Sequence, residues 1–401
     1  MEILKVNGYS AFYHKNHSDI VDLRFSVLAG SEKEDDPRIY GVSHFLEHLI
    51  FKGTQTRGYL DISDEIALIG GQSNAFTSKS VVSFYIRIIK MNWSKAFEIL
   101  SDMFFNSVFD PKEIEKERNV ILEEAKSNID DNETFIMEEG IESASRPERG
   151  HRIIGTCESI SGITRDDIVD YKNRHYKGDN ILVSVSGNVE KEDLIRTLSA
   201  CLPECEPAPK EIFCEETSFF DNSSLHLERE KLEQAYTLLF FKGFGRNHPL
   251  YDAQKIMLNA LGGGMHSLLF KKVREEHGLC YNIDAGEVGS FLDSSIVCVS
   301  ANLTKENVKK TKDLVLEIVE DIKKNGFDEK LINISKVDFT SYVAMSTETS
   351  TGYVMFYGIS HLFNTYRNFD ELYKALHAVT KDQIIEVTKS VFCEPKEISL
   401  S

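Results

Sequence analysis

The sequence predicts an α+β protein of two similar halves, each a mainly antiparallel β-sheet with helices packed on one face. Three observations carry this. Stretches that alternate apolar and polar residues, the period of a strand, are interspersed with stretches whose apolar residues recur every three or four positions, the period of a helix. The same order of elements occurs twice. In the first half a strand over 82–89 leads to a helix, Phe109-Asp110 and a second helix; in the second half a strand over 296–301 leads to a helix over 305–324, Phe327-Asp328 and another helix. A repeat of this length implies duplicated domains rather than a solenoid. Finally, 401 residues, 41% of them apolar, suffice for two or three domains that each bury a core.

Taken in order, Val21, Leu23, Phe25 and Val27 alternate with polar residues, as in a half-buried strand. A turn-rich acidic stretch, Gly30 to Pro37, precedes Val42, Phe45, Leu46 and Leu49, which recur at helical spacing. A helix from Asp61 ends at Gly70-Gly71, where glycine suits a left-handed cap. Val82, Phe84, Ile86 and Ile88 form a second alternating strand, and Trp93 to Phe105 a helix. Asp110 as cap, Pro111 at the first helical position and Glu113 completing a capping box start a helix that runs to about Ser127. Ile181 to Gly187 is again a strand. Pro203 to Ser224 holds three of the eight prolines beside Glu204, Glu206, Glu211, Glu215 and Glu216, and reads as a linker. The expected domains are therefore 1–205 and 225–401, joined by 206–224.

Composition excludes several function classes. Lys and Arg total 46 against 64 Asp and Glu, a net charge of −18 with no basic stripe, so the electrostatic footprint of nucleic-acid binding is missing. No apolar run approaches the roughly 20 residues that span a bilayer; Tyr236 to Phe241 is only strand-length. The seven cysteines are scattered, and Cys201, Cys205 and Cys214 lack a fourth ligand, so free thiols are expected rather than a disulfide framework or a zinc knot. Met1-Glu2-Ile3-Leu4-Lys5-Val6 has neither a basic nor an apolar signal region, and a cytoplasmic location is expected.

The chemistry concentrates in His44-Phe45-Leu46-Glu47-His48. His44 and His48 are one helical turn apart on one face, and Glu47 adjoins that stripe. Val42, Phe45, Leu46 and Leu49 occupy the other stripe and anchor the helix. Two imidazoles and a carboxylate on a rigid backing suit a metal site, and His-x-x-Glu-His is the inverted zincin signature, with the Glu as general base. A catalytic zinc needs a third protein ligand and an open position for water.

The run His44-Phe45-Leu46-Glu47-His48-Leu49-Ile50-Phe51-Lys52-Gly53-Thr54 closely resembles the pitrilysin family of zinc metallopeptidases, which includes the mitochondrial processing peptidases and insulin-degrading enzyme. The resemblance implies a third zinc ligand on a downstream helix, carried onto Glu124, and a supporting Glu seven residues earlier, Glu117. Glu123 lies about 100° away around the helix. Gly70 to Thr77 resembles the family's edge strand, which pairs with an extended substrate around Asn74, Ala75 and Phe76. Arg274 and Tyr281, seven apart, match a pair that holds substrate near the scissile bond; Leu268 departs from the Arg of many relatives. His175-Tyr176 and Gly187-Asn188 also fit. The second half has no His-x-x-Glu-His and resembles a supporting domain. The resemblance implies one zinc per chain, a peptide substrate cut in a closed chamber, and a homodimer in which Arg274 and Tyr281 act within the chain or across the dimer. Two other readings stand beside it: a maturation protease for one precursor or leader peptide, and a non-catalytic assembly subunit, against which the presence of His44, Glu47, His48 and Glu124 argues.

Overall fold

A computed structural model of the chain describes residues 1–205, 208–210, 223–230 and 232–401 (for Glu148 the backbone only). Most of the expected linker, 206–224, and with it Cys214, lies outside the described residues. The six described cysteines are free. No helix among the described residues is long and apolar enough to cross a membrane.

The chain divides into two compact units, and each takes a segment from the other half of the sequence. The first comprises Met1–Asn128, the stretch from His151 to the linker, and Ser346–Tyr366; the second comprises Ile129–Gly150, the stretch from the linker to Met345, and Arg367–Ser401. The first holds a six-stranded sheet of β1 (Glu2–Val6), β2 (Tyr9–Lys15), β3 (Ile20–Val27), β4 (Gln72–Thr77), β5 (Val82–Ile89) and β6 (Ile181–Gly187), ordered β1-β2-β6-β3-β5-β4. The second holds β7 (Ser224–Leu227), β8 (Ala235–Phe244), β9 (Cys280–Ser290), β10 (Ser294–Leu303) and β11 (Lys396–Leu400), ordered β7-β11-β8-β10-β9. Each sheet is antiparallel except for one parallel pair, β2 with β6 and β11 with β7.

In the first unit α1 (Val42–Ile50), α2 (Tyr59–Leu68), α3 (Trp93–Asn106) and α4 (Pro111–Asp130) are the helices that matter for the site. Phe45, Leu46 and Leu49 of α1 are wholly buried with Phe25, Phe84 and Phe104 in one core. Each such side chain contributes roughly 2 kcal/mol of burial, so α1 is firmly seated. α2 begins two residues before Asp61 because the Asp61 carboxylate accepts from the Gly58 N–H, which makes Asp61 an N3 residue of the first turn. α4 runs three residues past Ser127. At its start Asp110 Oδ1 accepts from the Lys112 N–H at 2.7 Å, while Glu113 pairs with Lys116.

β3 departs from the half-buried expectation: every residue after Ile20 is buried. Its alternate residues Asp22, Arg24 and Ser26 face the side of the sheet covered by the segment Ser346–Tyr366. Burial is tolerated because the charges satisfy one another. Arg24 Nη2 lies 3.2 Å from Asp22 Oδ2, Arg24 Nη1 donates to Ser83 Oγ, the guanidinium sits 4.2 Å from the Tyr85 ring centre, and the Thr351 hydroxyl donates to Asp22 at 2.8 Å. The second sheet is likewise covered on a second face by α5 (Asn132–Ala144), whose Ile136 packs with Leu238, Phe240, Ile296 and Ile398.

Candidate active site

α1 starts abruptly at Gly41, which adopts φ 94° and whose missing Cβ would lie 2.3 Å from the Ile154 carbonyl oxygen; only glycine fits there. The orphan N–H groups of the first turn are met by Glu34. Its Oε2 accepts from the Gly41 N–H (2.7 Å), its Oε1 accepts from the Ser43 N–H (2.9 Å) and hydroxyl (2.6 Å), and His151 Nε2 lies 3.0 Å from Oε2. A fully buried carboxylate thus fixes the helix end and suits the positive end of its dipole.

With α1 fixed, His44 and His48 stand edge to face, ring centres 4.7 Å apart, toward α4. Glu124 of α4 answers them: its Oε1 is 3.8 Å from His44 Nε2 and its Oε2 is 3.6 Å from His48 Nε2. Among the described residues, these three form the one group of His, Cys, Asp and Glu whose ligand atoms converge, all within 4.8 Å of one another. Donors about 2.0–2.1 Å from a tetrahedral zinc are about 3.3 Å apart, so three ligand atoms within 4.8 Å of one another draw together by at most about 1.5 Å to seat the ion. Zinc fits this donor set: two neutral-capable imidazoles and one carboxylate.

Protonation favours a cation at two of the three groups, His44 and Glu124. Burial, helped by neighbouring His48, lowers the His44 pKa to about 4, so its nitrogens stay neutral at pH 7. For His48, burial opposes charge, but hydrogen bonds to Glu124 and Glu117 outweigh it and raise the pKa. The hydrogen bond with His48 holds the Glu124 carboxyl below its usual range. Glu117 is buried behind His48, its Oε2 3.2 Å from His48 Nδ1 and its Oε1 2.8 Å from Lys52 Nζ. A carboxylate at Nδ1 favours the proton there and leaves Nε2 free to bind metal, the geometry of a residue that orients a metal-binding imidazole.

Glu47, on the same face of α1, accepts a 2.5 Å hydrogen bond from the Thr77 hydroxyl at the end of β4. Burial raises its carboxyl pKa, toward the range a general base needs. β4 is the edge of its sheet, paired only with β5 (Asn74 opposite Tyr85, Ala75 opposite Phe84, Phe76 opposite Ser83). Asn74 is exposed, and Ala75 and Phe76 are half-buried. A cleft of about 380 Å³ beside the histidines is lined by Glu47, Phe51, Tyr59, Ile62, Ile66 and Asn74.

The structure therefore brings His44, Glu47, His48, Glu117 and Glu124 together, with Asn74 beside them. Arg274 and Tyr281 belong to the second unit and meet each other there: the Arg274 guanidinium lies 5.4 Å from the Tyr281 ring centre and 4.7 Å from that of Phe270, and Tyr281 is 77% exposed. Three contributors carried no assigned role in the sequence: Glu34, Lys52 and Thr77. Lys52 has a signal, one turn beyond His48 on the same face; Glu34 and Thr77 meet α1 only through the tertiary fold.

Residues 10–151 match the family described as Insulinase (Peptidase family M16), and residues 162–336 match the Peptidase M16 inactive domain. The chain belongs to the M16 peptidase family. The resemblance read from the His-x-x-Glu-His run thus extends through both halves. The uncharacterized zinc protease YmxG of Bacillus subtilis is 29% identical over 391 residues, 96% of this chain and 94% of its own. An uncharacterized zinc protease of Rickettsia felis is 29% identical over 392 residues, 96% of this chain and 93% of its own. In fold, the M16 chain superposes on a protease from Helicobacter pylori with TM-score 0.90 at 16% identity, covering 100% of this chain and 99% of that one. It superposes on a peptidase M16 inactive domain from Pseudomonas fluorescens with TM-score 0.89 at 18% identity, covering 100% and 97%.

Proposed function

We propose that this M16 chain is a zinc-dependent endopeptidase or oligopeptidase acting on extended, unfolded peptides, with His44, His48 and Glu124 as metal ligands and Glu47 as general base. The observation that carries the reading is the convergence of three ligand atoms from two helices beside a half-buried carboxylate. Zinc, when bound, supplies a Lewis acid for the scissile carbonyl and acidifies water. Glu47 accepts the proton of the attacking water and returns it to the leaving amine, and its raised pKa suits both steps. Thr77 holds the Glu47 carboxylate in position. The exposed edge of β4 takes the substrate backbone as an added strand, a mode of binding that needs no strict side-chain choice. The cleft walled by Phe51, Tyr59, Ile62 and Ile66 takes an apolar side chain of that strand.

The test is Glu47→Gln, which keeps the shape and removes the base. Purified protein is expected to retain stoichiometric zinc and to lose about 10²–10⁴-fold in turnover, read by mass spectrometry of products from a peptide library. Near wild-type cleavage would reject Glu47 as base; no cleavage by the zinc-loaded wild type would favour the assembly-subunit reading.

A further inference from the structure

A second cleft, of about 500 Å³, lies beside the helix Arg165–His175 and is not used by the chemistry above. One part of its wall is apolar, from Phe105, Val108, Phe109 and Val169; another carries Arg165 and Lys172. In a chain with 64 acidic and 46 basic residues, this cleft holds two cations and no acid. Among the described residues neither cation meets a carboxylate. Arg165 donates to the Phe109 and Val108 carbonyls at 3.0 and 3.2 Å. Lys172 Nζ has only the Phe105 carbonyl at 3.5 Å, the limit of a hydrogen bond, and the face of Phe109 at 5.3 Å.

An ammonium carries three donors and is costly to hold away from water without a partner. Burial alone lowers the Lys172 pKa to about 8, so the group is still largely charged at pH 7. The cleft wall is also held in an unusual shape: Phe109 adopts φ 52°, with its carbonyl gripped by Arg165. A non-glycine residue in that conformation stores strain that functional sites often show. Tyr176 lines the same cleft, its hydroxyl buried without a partner.

We propose that this cleft binds a small carboxylate with an apolar body, Lys172 supplying the counter-charge and the Phe105–Phe109 and Val169 wall receiving the body. Two sources share that chemistry, the carboxyl end of a peptide and a free branched acid. The site does not depend on the peptidase reading, because Lys172 is neither a metal ligand nor in contact with one.

The test uses the full chain and reads the acylation rate of Lys172 by peptide mass spectrometry near pH 8. N-acetyl-L-leucine represents a peptide end and isocaproate a free acid; their neutral amides are the controls. A carboxylate at about four times its Kd is expected to slow acylation roughly fivefold by occupancy, and to move the pH midpoint of labelling upward; the amides are expected to do neither. The acid that protects at the lower concentration identifies the source. Lys172→Met is expected to lose the calorimetric binding signal for that acid while melting no lower than wild type, and Lys172→Arg to retain binding. No protection by either acid, equal protection by an amide, or unchanged binding to well-folded Lys172→Met would overturn the proposal.

Discussion

The helix α4 and the helix Glu329–Ser346 are the same element used twice. Each follows a buried Phe and an Asp, Phe109-Asp110 and Phe327-Asp328, and in each the Asp Oδ1 accepts from the N–H two residues on, Lys112 or Lys330, at 2.7 Å. Seven residues past that Asp, α4 has Glu117, buried against His48; the second helix has Ser335, fully buried. Fourteen past it, α4 has Glu124, facing two imidazoles; the second helix has Tyr342, 62% exposed. The start of the helix is retained and its length nearly so, 20 and 18 residues, while the two side chains that face the proposed metal site in α4 differ. A scaffold thus persists when its chemistry does not, so function must be argued from the site and not from the fold.

The largest effect expected from this comparison is on metal content. Glu124→Ala removes one of the three proposed ligands and should abolish stoichiometric zinc in purified protein, whereas Tyr342→Ala, at the corresponding position of the other helix, should leave it unchanged. Elemental analysis decides. Zinc retained in Glu124→Ala, or lost in Tyr342→Ala, breaks the assignment of chemistry to one half.

Glu117 sharpens the comparison at the next scale. Glu117→Gln keeps a hydrogen-bond acceptor near His48 Nδ1 but removes the charge that holds the proton there and that pairs with Lys52. Zinc affinity should fall about 10–100-fold, measured by competition with a chelator, while Ser335→Ala changes it by less than twofold (roughly the noise of independent sites). An unchanged affinity in Glu117→Gln would make its contact with His48 incidental.

The repeat was legible in sequence because it rests on local signals: alternation for β5, a Pro after an Asp for α4, apolar spacing for α1. The His-x-x-Glu-His set was legible because one helix carries it. Glu124 was reached only through resemblance, since nothing local joins residue 124 to residue 48. Glu34 and Thr77 stayed silent because their roles exist only once distant segments pack. The full burial of β3 was missed for the same reason: Asp22 and Arg24 look solvent-facing until the segment Ser346–Tyr366, more than 300 residues on, covers them. The exchange of segments between the units has no periodic signature at all.

Those exchanged segments give a second contrast. On the second unit the cover is α5, and it approaches so closely that a Cβ added at Gly140 would lie 2.2 and 2.3 Å from the Phe240 ring. Phe240 is fully buried and has no room to yield. Gly140→Ala should destabilise by about 1–3 kcal/mol, the better helix propensity of alanine offsetting part of it, and zinc content should not change. Gly162→Ala, where nothing lies within 4 Å, is the neutral control. Equal melting temperatures for the two variants would show that α5 is not tightly seated.

On the first unit the cover Ser346–Tyr366 rests instead on imidazoles, and acid should loosen it first. His14 stacks on Tyr353 at 3.5 Å with planes 8° apart, its Nδ1 3.0 Å from Ser186 Oγ; His361 packs on Phe12 and stacks on Tyr366. Burial lowers the His14 pKa to about 4, and burial with nearby Lys210 lowers that of His361. A histidine whose folded pKa lies below its unfolded 6.5 binds fewer protons when packed. Its contribution is therefore complete above pH 6.5 and is lost as the pH falls toward 4. At pH 5 the His14 shift alone weakens the packed state by at most about thirtyfold, and by less because the ring is only half-buried. Hydrogen exchange over 346–366, corrected for intrinsic rates, should accelerate severalfold between pH 7 and pH 5, while α5, seated on aliphatic and aromatic contacts, should not change. His14→Phe keeps the stacking and removes the titration, so it should flatten the acid response. Identical behaviour of the two covers, or a response in His14→Phe equal to wild type, would show that imidazole protonation does not control how the first unit holds its borrowed segment.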